Sequence, residues 1–481
     1  MKYYCTFLCA VFLLAGCGAG SKDDGNPNAG SGVINFKTSR IGSAGGFVDV
    51  NNDGNQDLII GAPEAQGGEH KTGVATVMLA EGDTIRQHIY TTLSGEKKGD
   101  FFGYTIANLG DVNGDDKEDF AIGAINAQGE AGISGAVYVY QGSEHGPVLI
   151  SKLKGEEAFS KFGFSIAGGD LNNDGINDVV VSAPYTFSQE FQAGAVYIYF
   201  GGHHLSHEAD VVIKGDKVNA SVGFALATGD VNGDNIDDLI MDGHSKVFIY
   251  YGGADIKTRI AENMTPNVNI RSDAGAHGGS GFGWSLAYAG DVDGDGFGDI
   301  AVGNPRRSSP SVYDSAGSFY IFRGGDNLPA EFFEDDATHR LVKIVGSSND
   351  DHLGSAIVNI GDVNDDQKPD FLVGANWANA GADGKATIAG VVYLFHSDKL
   401  NVADASHDQS VLLATHAYSL EQSSAEFGTT IAAKGETLFS GAPGAHKHDG
   451  GFAVVSIHDG GKVDGGSGLN GGTGGGHVHA H

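Results

Sequence analysis

One nine-residue pattern, Asp-x-Asn/Asp-x-Asp-x-x-x-Asp, recurs six times and limits what this 481-residue chain can fold into. The copies begin at Asp49, Asp111, Asp170, Asp230, Asp291 and Asp362, at intervals of 62, 59, 60, 61 and 71 residues. Spacing that regular marks an array of supersecondary units, each unable to bury its apolar face alone. It replaces the reading of about three independent domains that length alone gives.

Within each copy, oxygen-bearing side chains stand at positions 1, 3, 5 and 9. They are Asp49, Asn51, Asp53 and Asp57 in the first loop and Asp111, Asn113, Asp115 and Asp119 in the second. The third and fourth loops have Asp170, Asn172, Asp174 and Asp178, then Asp230, Asn232, Asp234 and Asp238. The fifth has Asp291, Asp293, Asp295 and Asp299, and the sixth Asp362, Asn364, Asp366 and Asp370. Position 7 is Asn55, Lys117, Ile176, Ile236, Phe297 or Lys368, a scatter that makes sense where only the backbone carbonyl is offered. Position 6 holds Gly54, Asp116, Gly175, Asn235, Gly296 and Gln367; Gly, Asn and Asp tolerate a left-handed backbone, and Gln367 fits least well. Several hard oxygens in a tolerant loop are what Ca²⁺ takes, so each loop is a candidate calcium site. An EF-hand loop would need a bidentate acid at position 12, where this chain has Ile60, Ile122, Val181, Met241, Val302 and Val373. The alternative is a polar Asx-rich turn without metal, in which clustered carboxylates would repel one another. The formal charge of −32 excludes a nucleic-acid binder held by phosphate contacts, and six Ca²⁺ would reduce it to about −20.

The residues around each loop repeat as well. An apolar residue and Gly come first: Phe102-Gly103, Phe162-Gly163, Val222-Gly223, Phe282-Gly283, Leu353-Gly354 and Phe427-Gly428. The acidic loop follows, then a short apolar strand such as Leu58-Ile59-Ile60 and a Gly-Ala-Pro-like turn such as Gly61-Ala62-Pro63. An aromatic, β-branched run such as Val196-Tyr197-Ile198-Tyr199 and a last strand such as Val211-Val212-Ile213 complete the unit. Four short strands per unit make a propeller blade, and the fold class is all-β.

These Phe-Gly and Gly-Ala-Pro repeats resemble the FG-GAP repeats of the integrin α-subunit propeller. They are also similar to repeats in glycosylphosphatidylinositol-specific phospholipase D and in bacterial surface proteins. The resemblance spans residues 33–460 and implies a seven-bladed β-propeller with calcium between the first two strands of blades one to six. Blade seven departs from the pattern, because Lys434-Gly435-Glu436-Thr437 replaces its acidic loop. Its fourth strand is missing after Phe452 to Ile457, and Val33-Ile34-Asn35-Phe36 is expected to supply it and close the ring.

The ends of the chain have other expected roles. Residues 1–16 read as a signal peptide with a short apolar core, and Leu14-Ala15-Gly16-Cys17 resembles a bacterial lipobox that places the lipid on Cys17. All three cysteines, Cys5, Cys9 and Cys17, lie there, so no disulfide framework is available to the propeller. Residues 17–32 form a lipid-anchored flexible tether, and 461–481 a Gly/His-rich disordered tail. The expected location is a bacterial envelope; Gly18 after Cys17 points to the outer membrane by resemblance to enteric sorting.

In related propellers partners bind mostly on the face away from the calcium loops. The candidates there are Tyr185, Phe187, Phe191, Arg306, Arg307, Tyr313 and Trp377, since aromatics with Arg are frequent binding anchors. His203, His204 and His207, and the tail histidines, read as polar loop and tail residues. No Gly-x-Ser-x-Gly, His-Glu-x-x-His or P-loop pattern occurs. The reading is therefore a non-enzymatic, calcium-binding adhesion or interaction module with a protein or glycan partner. It meets the membrane through its N-terminal lipid only, and it takes no nucleic acid. The alternative is an envelope enzyme, a phospholipase or polysaccharide-active protein, with a pocket on the propeller axis.

Overall fold

The strand after each acidic loop, and its counterpart in blade seven, is buried at every residue. This holds for Asp57–Ala62, Asp119–Ala124, Asp178–Ala183, Asp238–Asp242, Asp299–Asn304, Asp370–Ala375 and Thr437–Gly441. A strand buried on both faces needs a sheet on each side of it, and a ring of stacked sheets provides that. The chain builds this ring as a seven-bladed β-propeller. The computed structural model describes residues 39–456 and 478–480, apart from 68–69, 83, 87, 188–191, 218–219, 244, 264, 273–280, 307–314, 379–388, 401–408, 421–425, 435–436 and 445–450.

Blade two is representative. Its strands are Phe102–Gly110, Asp119–Ala124, Ala136–Gln141 and Val148–Lys154, each antiparallel to its sequence neighbour. The first strand runs from Phe102-Gly103 to the acidic loop at Asp111, and the second runs back. The acidic loops and the opening glycines therefore lie at opposite ends of the blade.

Among the described residues, seven apolar clusters hold the ring, and each lies between two neighbouring blades. Ile59 and Val77 of blade one meet Phe102, Phe120 and Ile122 of blade two. Similar clusters join blades two to three, three to four, four to five, five to six and six to seven. The last joins Phe439, Phe452 and Val454 of blade seven to Phe47, Leu58 and Ile60 of blade one, which closes the circle. Thr430 Oγ1 also donates to the Ser43 carbonyl across this seam at 2.8 Å. The expected closing strand at 33–37 lies outside the described residues.

The opening glycines fix how closely blades approach. Gly103 has φ +85°, and a Cβ there would stand 2.3 Å from the Val74 carbonyl oxygen of blade one. Gly354 repeats this against Ser318 of blade five, with φ +88° and 2.4 Å. A side chain at either place would meet both the backbone strain and the neighbouring main chain. The preceding aromatic is buried under its own blade; the rings of Phe102 and Tyr138 stand 5.2 Å apart, edge to face.

The outer edges differ around the ring. Glu331–Phe333, in the connection between the third and fourth strands of blade five, pairs in parallel with Val268–Arg271 at the edge of blade four. Gln409–Ser410, in the same connection of blade six, pairs in parallel with Arg340–Val345 of blade five. Val478–Ala480 pairs antiparallel with His416–Leu420 of blade six. This corrects the expectation of a tail without structure for these three residues: the free edge of blade six has backbone groups to offer them. In blade seven, Thr430–Lys434 and Thr437–Gly441 form a hairpin with Lys434 opposite Thr437, in place of an acidic loop.

Some buried carboxyls belong to the fold rather than to the loops, and Asp242 is one of them. Asp242 ends the second strand of blade four and accepts the Gly223 and Ala225 N–H groups at 3.1 and 3.0 Å. Ser182 holds the equivalent place in blade three and accepts the Ser165 N–H. Burial raises the Asp242 carboxyl to about 7, against its backbone hydrogen bonds. A folded pKa above the unfolded value makes its contribution complete below about pH 4 and lost as pH rises through about 7. Thermal melts should therefore show that Asp242→Ser gains stability relative to the parent between pH 5 and pH 8.

Candidate functional site

All six acidic loops fold in one way. The first Asp turns its carboxylate back into the loop, and its Oδ2 accepts the N–H of position 6 at 2.7–2.9 Å in every copy. The fifth-position carboxylate accepts the N–H of position 7 at 2.8–3.2 Å. Position 6 is left-handed throughout, including Gln367 at φ +68°, so the sixth loop closes as the others do. Position 4 is left-handed too, at Asn52, Gly114, Asn173, Gly233, Gly294 and Asp365. That requirement was readable in the Asn/Gly/Asp content of the position.

The ninth-position Asp is the buried member. Asp57, Asp119, Asp178, Asp238, Asp299 and Asp370 all have 0% exposure, although they begin a strand. Their Oδ2 accepts the N–H of position 2 at 2.8–3.2 Å. In five loops Oδ1 also accepts an N–H just beyond the third strand, from Ala80, Gly201, Gly252, Gly324 or Ser397. Burial raises the first five of these carboxyls to about 7 despite the hydrogen bonds, and raises Asp370 as well. The neighbouring loop carboxylates push in the same direction.

This donor set fits a hard divalent cation. In loop three, Asn172 Oδ1 is a buried acceptor without a partner, while its amide donates to Asp178 Oδ1 at 3.2 Å. In loop five, oxygens of Asp291, Asp293 and Asp299 lie within 4.8 Å of one another. A cation there would satisfy acceptors that main-chain donors leave short, and would offset the charge that burial penalises.

The loops are tied to one another around the ring. The carbonyl at position 2 of loops one to four accepts an N–H from the next blade: Ser143 to Val50, Gly202 to Val112, Gly253 to Leu171 and Gly325 to Val231, at 2.8–3.1 Å. Position 8, which the sequence reading passed over, adds side-chain links. Glu118 accepts the Asp49 N–H and Asp237 the Asp170 N–H, both at 3.0 Å.

At the other end of the blades, aromatic rings line up across the ring. Tyr104, Phe164, Phe224 and Trp284 each follow an opening glycine, and successive centroids lie 5.4, 5.0 and 6.5 Å apart. Tyr185 packs edge to face on Phe164 and Phe224, and the Arg306 guanidinium lies 4.8 Å over Trp284. Of the expected partner residues, Tyr185 and Arg306 thus share one arc. Trp377 stacks on His352 at 4.6 Å instead, and Phe187 is exposed. Phe191, Arg307 and Tyr313 lie outside the described residues. The missed aromatics recur every 60 residues from 104 to 284, a signal visible once the repeat register is set.

The FG-GAP repeat family model matches residues 41–78, 102–140, 162–199 and 282–322, which are blades one, two, three and five. The chain is an FG-GAP repeat β-propeller. Among known proteins, this FG-GAP propeller is 38% identical to integrin alpha-7 of Mus musculus over 159 residues, covering 32% of this chain and 13% of that protein. It is 27% identical to integrin alpha-8 of Homo sapiens over 282 residues, covering 54% and 26%. Integrin alpha-PS3 of Drosophila melanogaster is 28% identical over 229 residues, covering 46% and 20%. The propeller thus spans about a quarter or less of these relatives' length.

The geometry separates two kinds of loop carboxylate. Asp178→Ala strands the Leu171 and Gly201 N–H groups and should cost about 2–4 kcal/mol even in chelator. Asp174→Asn, at an exposed turn position, should cost under about 1 kcal/mol under the same conditions. Urea melts of both variants check this.

Proposed function

We propose that this chain is a calcium-stabilised, lipid-anchored interaction module of a bacterial cell envelope, and that it presents its aromatic face to a protein or glycan partner. The observation that carries the reading is the repetition of one acidic loop six times on one face of the ring, each with a fully buried carboxylate at position 9. In the proposed role, positions 1, 3, 5 and 9 supply the oxygens, and the metal holds the first two strands of each blade together. Binding to the folded state alone adds about 2.7 kcal/mol per site at a hundredfold excess over Kd.

The opposite face supports the second half of the reading. Trp284 and Arg306, paired by cation–π contact, are of the residue types that most often anchor interfaces. The similarity to integrin α subunits agrees with an adhesion role. Anchoring rests on the lipobox-like Leu14-Ala15-Gly16-Cys17 in the sequence. Among the described residues no helix is long and apolar enough to cross a membrane.

Two outcomes are expected. Elemental analysis should return about six calcium per chain, and chelator should lower Tm by on the order of 15 °C. An unchanged melt with no bound calcium overturns the metal reading. Separately, Trp284→Ala and Arg306→Ala should each weaken binding to intact envelopes or arrayed glycans by about tenfold or more, with Tm unchanged. Turnover of phospholipid or polysaccharide by the purified chain would favour the enzymatic alternative instead.

A further inference from the structure

One position beside each acidic loop varies from blade to blade. It is the residue that closes the third strand, just ahead of the one whose N–H reaches the ninth-position Asp. The occupants are Leu79, Gln141, Phe200, Tyr251, Arg323 and His396 in blades one to six. Only blade five carries a permanent cation there. Blade five is also the one loop with Asp at position 3, Asp293, where the other five have Asn.

These two departures face each other. Arg323 Nη2 and Nε donate to Asp293 Oδ2 at 2.6 and 2.9 Å, and Nε lies 3.6 Å from Asp295 Oδ2. Asp293 Oδ1 meanwhile accepts the Asp295 N–H at 3.2 Å. The Asp293 side chain is 8% exposed, whereas that of Arg323 is 41% exposed. Among the ion pairs of the described residues, no other Lys or Arg meets a carboxylate at position 1, 3, 5 or 9 of any loop. Loop five is likewise the one loop in which three carboxylates converge within 4.8 Å.

We propose that Arg323 is a built-in counter-cation of the blade-five loop: it gathers the carboxylates in the metal-free chain and makes this calcium site the weakest and last to fill. The inference rests on the calcium reading above. The added Asp and the added Arg cancel, so the ligand positions of loop five together with Arg323 carry the same net charge as the ligand positions of the other loops. Its positive charge is nevertheless already in place, with two N–H groups on one oxygen of one of the four ligand carboxylates. A Ca²⁺ that enters must share Asp293 with the guanidinium or displace it, and it meets the repulsion of that charge at close range. The half-exposed stem gives Arg323 room to swing outward when the metal arrives. Without metal, the same ion pair relieves repulsion among the carboxylates of loop five. Blade five is thus the part of the ring that keeps its shape when calcium is scarce. Arg323 acts here through Asp293, as a positioning residue.

The test is a calorimetric calcium titration of the chelator-stripped full chain, with CaCl₂ as the only added ligand. The parent should show a weakest class of about one site per chain, and Asp291→Ala, which removes the first ligand of loop five, should abolish that class, as should Asp291→Asn, which removes its charge. Arg323→Gln should tighten it by about ten- to a hundredfold and lower the metal-free Tm. Arg323→Lys, which retains the charge, should leave the class weak and shows that the shift is electrostatic rather than a folding defect. The proposal is overturned if Arg323→Gln binds with an isotherm like the parent's, or if the weakest class survives Asp291→Ala. A parent that takes up no calcium overturns both this proposal and the metal reading; uptake of about six ions with no effect of Arg323→Gln overturns this proposal alone.

Discussion

The fold depends on one carboxylate in each of blades one to six, at the ninth position of the acidic loop. It is fully buried, yet it begins a strand and accepts main-chain donors from two directions. One donor comes from the start of its own loop and the other from beyond the third strand. A single side chain thereby joins the first hairpin of the blade to its third strand. Burial raises the energy of that charge, and the hydrogen bonds only partly offset it. The loop carboxylates at positions 1, 3 and 5 stand nearby with more negative charge. The same residue therefore stabilises the backbone geometry and adds a buried carboxyl to a cluster of negative charge.

Close approach between blades is the second constraint. The opening glycines lie against the main chain of the preceding blade, and the apolar clusters fill the space between the sheets. Because the first strand runs from glycine to acidic loop, these two features always fall on opposite faces. A ring built this way separates its chemistry without a second domain. Charged loops occupy one face, and the residues just after the glycines are free to carry rings on the other. Tyr104, Phe164, Phe224 and Trp284 use that freedom.

Much of this was legible in the sequence, because the repeat supplies its own alignment. The six loops, the buried strand after each and the left-handed position 6 follow from residue type at fixed spacing. Blade seven was also legible: Lys434 pairs with Thr437 at the end of a hairpin, where the acidic loop is missing. Other features depend on where the chain returns in space. Nothing near Asp293 in sequence announces Arg323, which arrives from the third strand 30 residues later. The buried role of the ninth Asp was hidden because an Asp at a ligand position reads as exposed and metal-facing. The short outer strands were missed because Glu331–Phe333 and Gln409–Ser410 have no strand-like alternation of their own. Their pairing is decided by the free edge they meet.

Those outer strands give the ring a direction. The edge of blade four is covered by chain from blade five, and the edge of blade five by chain from blade six. Blade six is covered in turn by Val478–Ala480. These blades overlap like roof tiles, and none of the three can be peeled away before the next has lifted. Among the described residues, blades one to three gain no such strand, although the helix Ile256–Glu262 of blade four packs on Val211 and Ile213 of blade three. A molecule tethered at its N-terminus and held by a partner would feel load first where the tiles are absent. Tension would then open the ring from blade one, while the overlapped half remained intact.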